Sequence, residues 1–246
     1  MTTKVFLPMK TKGLLALAAG LACFTHTAYL NADTLQPYKA TYGAEVSSIP
    51  VKGSASRELT VAKDGSYHLS FSADIVIVDI AEQSRFSIQD NYVVPTSYHY
   101  KRGGFAKTKE DSLTFDWKNM QVQNQADEEV KPFAITKQTL DPLSYQFQLR
   151  LDLANDKKDL TYKVADDDEV KTYSFQRLGE EIIDSPLGKL KTVKVKRVRE
   201  NKKRETTLWF AKEWDYILVR LQQLEESKVY DIYLQKASIN GKPVGK

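Results

Sequence analysis

From residue 39 onward most of the chain is a succession of short stretches in which apolar and polar residues alternate, each closed by a turn signal. A period of two marks a strand that turns one face to a core. Residues 39–46 open the series, 57–62 run into the hairpin signal Lys63-Asp64-Gly65-Ser66, and 67–73 return. Residues 75–80 are a dense β-branched run interrupted by Asp79, which predicts a well-buried strand. Strands are predicted over 85–89, 93–100 and 112–117, with a reversal at Asn119 and a loose polar loop over 123–131. The second half predicts strands over 160–164, 170–178, 191–199, 206–210, 217–224 and 229–237, with a connection over 179–188.

One stretch, 139–155, breaks the pattern. Asp141 followed by Pro142 reads as an N-cap and first helical position, because the carboxylate can accept an orphan backbone N–H and proline has none to lose. On a helix Leu143, Phe147, Leu151 and Ala154 form one apolar stripe, and Tyr145, Leu149 and Leu153 a second on the opposite side, so the helix would need cover on both flanks. The same residues also read as one long strand, since the odd positions from Leu143 to Leu153 are apolar and the even ones polar. Many strands with short turns and one central helix predict a mainly β fold: an antiparallel, strongly curved sheet or incomplete β-barrel enclosing that helix. A flat sheet of this size would expose its edges.

The start of the chain reads as a targeting signal. Lys4, Lys10 and Lys12 precede an apolar run over 13–24 that is too short to span a bilayer. Cleavage after Ala32 leaves a single β-rich domain over 33–246, exported to the periplasm, without a transmembrane span or any cysteine. The rival is a lipoprotein anchored through Cys23, although Gly20 departs from the usual lipobox. Loss of the leader lysines takes the 36 basic side chains to 33 against 32 acidic ones. A nearly neutral domain offers no bulk charge for nucleic acid.

Several local patterns resemble a bacterial exported family known as domain of unknown function 3108. They are Asp141-Pro142-Leu143-Ser144 with Phe147 and Arg150 in the same segment, Gly179-Glu180 followed by Ser185-Pro186-Leu187-Gly188, and Leu208-Trp209-Phe210-Ala211 with Val219-Arg220-Leu221. Leu218 departs from the proline the family often carries before its Val-Arg pair. The resemblance implies a β-rich periplasmic protein and brings no catalytic residues with it. At the level of architecture alone the expected fold is similar to the periplasmic carriers LolA and LolB, in which a curved sheet and helical lid enclose an apolar cavity.

The residues that could carry chemistry are few. His68 and His99 sit in alternating strands without evident partners. No nucleophile elbow, zinc motif or phosphate loop occurs, so neither cofactor nor metal is expected. The acidic run Asp166-Asp167-Asp168-Glu169 lacks calcium-loop spacing and reads as a hairpin turn. Glu180, Glu181 and Asp184 lack an opposing carboxylate. Lys194, Lys196 and Arg197 mark a basic hairpin, with Lys194 and Lys196 on the face opposite Val193 and Val195, suited to anionic lipid or an acidic partner. Trp209, Trp214 and Tyr216 gather near one reversal, where they either plug the sheet or line a cavity mouth.

These features favour a non-enzymatic envelope protein that holds an apolar small molecule, lipid or lipidated partner between sheet and helix. A solid-cored assembly or interaction factor for the envelope is the alternative, and a hydrolase with an unlisted site the third reading. Ligand, partner and oligomeric state are not encoded legibly.

Overall fold

The computed structural model describes residues 35–47, 49–51, 53–75, 78–104, 108–125, 131–199, 203–225 and 227–245, so the leader, Cys23 and the Ala32 cleavage site lie outside the described residues. The first half holds β1 (Tyr38–Val46), β2 (Ile49–Pro50), β3 (Gly53–Val61), β4 (Tyr67–Ile75), β5 (Val78–Gln89), β6 (Tyr92–Gly104), β7 (Lys109–Asp116), β8 (Gln121–Asn124) and β9 (Phe133–Ala134). The second holds β10 (Thr139–Leu140), α1 (Ser144–Ala154), β11 (Leu160–Asp166), β12 (Glu169–Ser185), β13 (Gly188–Val198), β14 (Arg204–Ala211), a 3-10 turn (Lys212–Trp214), β15 (Ile217–Glu225), β16 (Lys228–Ile239) and β17 (Lys242–Val244).

All strands belong to one sheet. Strands β3 to β9 follow one another as a meander, as do β11 to β16, and β1 joins the two by pairing with β3 on one side and β16 on the other. Among the described residues every ladder is antiparallel except β10 with β11, which is parallel. The two edge strands, β9 and β10, are neighbours in sequence, joined by residues 135–138. The sheet therefore curves round until its edges approach each other, and they do not pair. An ion pair from Lys109 at the start of β7 to Asp167 in the β11–β12 turn spans this seam.

Residues 139–155 are a helix and not a strand, for the reason Asp141 and Pro142 announce. Asp141 Oδ1 accepts the Leu143 and Ser144 N–H groups at 2.8 and 2.7 Å, and the Asp141 N–H donates back to Ser144 Oγ at 2.9 Å. This reciprocal pair satisfies donors that the helix start leaves without partners. The Tyr145 N–H already reaches the Asp141 carbonyl at 3.2 Å, so the first turn begins two residues ahead of the formal cap at Leu143, whose side chain plays no part.

Both apolar flanks of α1 are covered: Leu143, Phe147 and Leu151 on one, Leu149 and Leu153 on the other. Ala154, expected on the first stripe, is exposed because it closes the last turn. Phe147 packs on Tyr67 and Phe86, with ring centroids 5.6 and 5.0 Å apart. Polar residues on the buried helix are bonded. Gln148 accepts the Val93 N–H at 2.8 Å and donates to Asp152, which also accepts the Tyr162 hydroxyl at 3.0 Å. Such bonds to β6 and β11 fix the helix across the inside of the seam.

Two expectations fail. Residues 75–80 are not one buried strand: Ile75 pairs with Val78 across a hairpin whose residues 76–77 lie outside the described set, and Asp79 is exposed. The β-branched composition was a real signal for strand, but it belonged to two strands. Residues 179–188 are not a connection either. Strand β12 continues to Ser185, because Gly179 adopts φ +116 at a bulge opposite Lys194 and bends the strand instead of ending it. The β12–β13 tip then lies against β16: Leu187 shares a surface hollow with Lys236 and Ala237, and Ile183 another with Tyr233.

Candidate functional site

Register places the inward-facing side chains of β1, β3, β4 and β5 in rows. Tyr38, Leu59, Leu69 and Ser84 form one row, Ala40, Arg57, Phe71 and Glu82 the next, and Tyr42, Ala55, Ala73 and Ile80 the third. The first row is fully buried beneath α1. The third places two alanines, Ala55 and Ala73, between Tyr42 and Ile80, and the interior opens there. A cleft of about 220 Å³ is walled by Tyr42, Ala55, Phe71, Leu218, Leu221 and Ile232, with Arg57, Glu82 and Gln146 at its inner end. A second hollow of about 160 Å³ continues it through the shared walls Tyr42, Ala55, Phe71 and Ile232 toward Val51 and Ile80.

The middle row sets the electrostatics. Phe71 stands between Arg57 and Glu82, and residues two strands apart in a row are separated by about 10 Å at their backbones. Arg57 and Glu82 form no ion pair among the described residues. The Arg57 guanidinium lies 5.6 Å from the Phe71 ring centroid and donates once, to Gln146 Oε1 at 2.7 Å. Its Nε is occluded from solvent and has no hydrogen-bond partner. Glu82 accepts the Tyr98 hydroxyl at 3.2 Å. Burial raises the Glu82 carboxyl above its ordinary value, against the opposing pull of Arg57 and the Tyr98 bond. The same burial raises the Tyr98 phenol.

The aromatic and basic residues singled out in the sequence stand elsewhere. Lys194, Trp209, Arg220 and Tyr233 form a row across β13 to β16 on the opposite face of the sheet. Trp209 is buried there, its indole donating to Glu181, with Lys194 and Arg220 at 5.0 and 5.1 Å from its ring. The indole bond, with Lys194 behind it, holds the Glu181 carboxyl below its usual range. Lys194 and Lys196 do share a face, but each is paired, to Glu181 at 3.2 Å and Glu205 at 2.8 Å. Arg197 faces the other way and stacks 3.8 Å over Tyr173, so the three do not make one cationic patch. Strand alternation required that split for adjacent residues. Trp214 and Tyr216 are half-buried against the core at the 3-10 turn.

Arg150 explains that turn. It is buried, donates through Nε to the carbonyls of Asp215 and Tyr216 and through a terminal nitrogen to Asp215 at 2.8 Å, and lies 4.5 Å over the Tyr38 ring. Asp215 and Tyr216 both have positive φ, 47° and 54°, and the guanidinium fork holds the two carbonyls of that reversal against the helix. Pro186 with Leu187 makes the two-residue tip of the β12–β13 hairpin, closed by Gly188 at φ +106.

The histidines and acids weighed for chemistry are dispersed. His68 is on β4, His99 on β6 and the Glu180 group on β12. Glu180 pairs with Lys212 at 2.6 Å and Asp184 with Lys189 at 3.1 Å. Asp166 and Asp167 bond Lys171, and Asp167 also bonds Lys109. Among the described residues no group of three metal-ligating side chains converges.

Sequence reading missed Arg57 and Glu82. Each is a charged residue at an inward position, Arg57 between Ala55 and Leu59 and Glu82 between Ile80 and Ser84. A charge on the apolar parity of a strand was the available signal.

Residues 37–228 match the family described as protein of unknown function (DUF3108), and the chain belongs to that family. Among solved structures it resembles the β-barrel-like protein of domain of unknown function DUF1849 from Brucella abortus, at 10% identity and a TM-score of 0.57, over 83% of this chain and 98% of that one. MucB follows at 10% identity and a TM-score of 0.34, over 87% of this chain and 56% of that one. A DUF1329 family protein from Desulfovibrio piger has 12% identity and a TM-score of 0.26, over 85% and 88% of the two chains. No curated protein matches the sequence significantly. The first of these similarities concerns fold alone. Among the described residues no helix is long and apolar enough to cross a membrane.

Proposed function

We propose that this protein works in the cell envelope after export and, without catalysing a reaction, binds a hydrophobic or amphipathic molecule, or the acyl chain of a lipidated partner, in the cleft at the open end of its sheet. The observation that carries this reading is the graded interior: the packed row under α1 gives way to one with alanines at its two central places, leaving an apolar-walled recess between the two meanders. Convergent polar groups within an apolar recess are the usual anatomy of a ligand site. A larger hollow of about 460 Å³ lies on the opposite face by Glu45, Asp184 and Asp231, but it is shallow and of mixed lining, and the Asp231 carboxylate within it is taken by Arg220.

Native mass spectrometry of protein purified from its own envelope tests the reading. A co-purifying apolar mass, lost in Ala55→Trp, is the expected result. Protein that is always empty and unaffected by that substitution overturns it. The second reading, an interaction factor with a solid core, draws on the packed space beneath α1 and the row of Lys194, Trp209, Arg220 and Tyr233. In-cell crosslinking to one protein, abolished by Lys194→Glu, would favour it.

A further inference from the structure

We propose that the cleft selects a single alkyl chain ending in a monoanionic head, with the head held by Arg57 and the chain lying along Phe71, Ala55 and Ile80. This rests on the reading of the cleft as a ligand site and adds the charge of the ligand.

The argument begins with an incomplete hydrogen-bond set. A guanidinium carries five N–H donors. That of Arg57 makes one hydrogen bond, to the neutral amide of Gln146, and its Nε is shut off from water without a partner. Glu82 favours the Arg57 charge from across the row without touching it, so the remaining N–H groups can still take a partner with acceptor oxygens. The protein's own candidate is held away. Phe71 separates Glu82 from Arg57 in their row, and Glu82 is engaged by the Tyr98 hydroxyl. Arg150, which is buried beside the Tyr38 ring, also keeps one terminal nitrogen without a partner among the described residues, but its three hydrogen bonds go to the carbonyls of the reversal after β14 and it does not line the cleft. Arg57 thus remains the cation with capacity at the cleft.

The count of charges selects the head. One guanidinium with a carboxyl in the same recess leaves room for one negative charge on the head at most, because a dianion would meet Glu82 with no second cation. The walls select the rest. Beyond Arg57 the recess is lined by aromatic, aliphatic and small side chains, with no second charged group in the hollow that continues it. An alkyl chain fits that continuation, and a second polar end would be stranded there.

Isothermal titration calorimetry of the full-length exported protein with dodecanoate, dodecanol and dodecyltrimethylammonium tests the inference. Dodecanoate is expected to bind at least about tenfold more tightly than dodecanol, the difference made by a charge-assisted bond. Arg57→Gln should bring the two to equal affinity while dodecanol still binds, which also shows that the variant is folded. Ala55→Trp, which fills the recess and leaves the guanidinium, should abolish both. Equal binding of dodecanoate and dodecanol by the unaltered protein, or a preference that survives in Arg57→Gln, overturns the anionic-head assignment and leaves the ligand site standing. Failure of all three amphiphiles to bind overturns both. Phosphatidylglycerol vesicles separate two sources of the same chemistry: competition with dodecanoate supports a membrane lipid as the donor of chain and head, and its absence supports a free carboxylic acid.

Discussion

The Ser84 hydroxyl donates to the Asp141 carboxylate at 2.6 Å, and both residues are fully buried. This bond links strand β5 of the first meander to the start of the helix that opens the second. Asp141→Ala removes the helix cap and strands the hydroxyl, which together are expected to cost about 2–4 kcal/mol. Ser84→Ala should cost less, about 1–2 kcal/mol, because the backbone donors still occupy the other oxygen of Asp141. Urea unfolding of the two variants and their double mutant measures the coupling, and strict additivity would show that the contact contributes nothing.

Arg150 holds the reversal after β14 through two carbonyls. Arg150→Lys keeps the charge and loses the fork, so it should not rescue the fold. Both Arg150→Lys and Arg150→Met are expected to destabilise by about 2–4 kcal/mol, with the Lys variant no better than Met. Hydrogen exchange should accelerate first at residues 211–217. Unchanged protection there would disprove the tie between helix and turn.

Glu82 gives stability a dependence on pH with a definite sign. Its carboxyl is raised in the folded state by burial, so between the ordinary glutamate value and the raised one the folded protein holds a proton that the unfolded chain has released. The Glu82 contribution to stability is therefore fully present below the ordinary glutamate value and is lost as pH rises through the raised one. Glu82→Gln keeps an oxygen for the Tyr98 hydroxyl and should be more stable than the parent at pH 7, the advantage shrinking below the ordinary glutamate value. Denaturant midpoints across pH decide it; a constant difference would refute the assignment.

Gly179 permits the bend in β12 at φ +116, with open space where a Cβ would go. Gly179→Ala should therefore lose stability through backbone strain alone, by about 1–3 kcal/mol. Thermal unfolding tests this, and an unchanged midpoint would mean that the bulge is set by its neighbours.

Much of the fold was legible because its signals are local. The Asp141-Pro142 pair announced the helix, and alternation announced the strands. What misled was punctuation: Gly179 read as the end of a strand when it is a bulge, and 75–80 read as one strand when it is the tip of two. Neither error can be corrected from neighbouring residues, since a glycine with positive φ serves bulges and turns alike. The cleft was illegible for a different reason. Arg57, Phe71 and Glu82 come together only through the register of three strands, while the sequence's densest aromatic and basic cluster, around Trp209 and Lys194, lies on the other face of the sheet.

Strand β1 borders β3 on one side and β16 on the other. The second of these neighbours follows β15, so the joint between the two halves waits until every strand from β2 to β15 has been made. A ribosome that had released everything up to β15 would still hold a molecule unable to finish itself. Assembly is thereby timed by the arrival of β16, and a chain cut short before it would be left as two meanders without a shared spine.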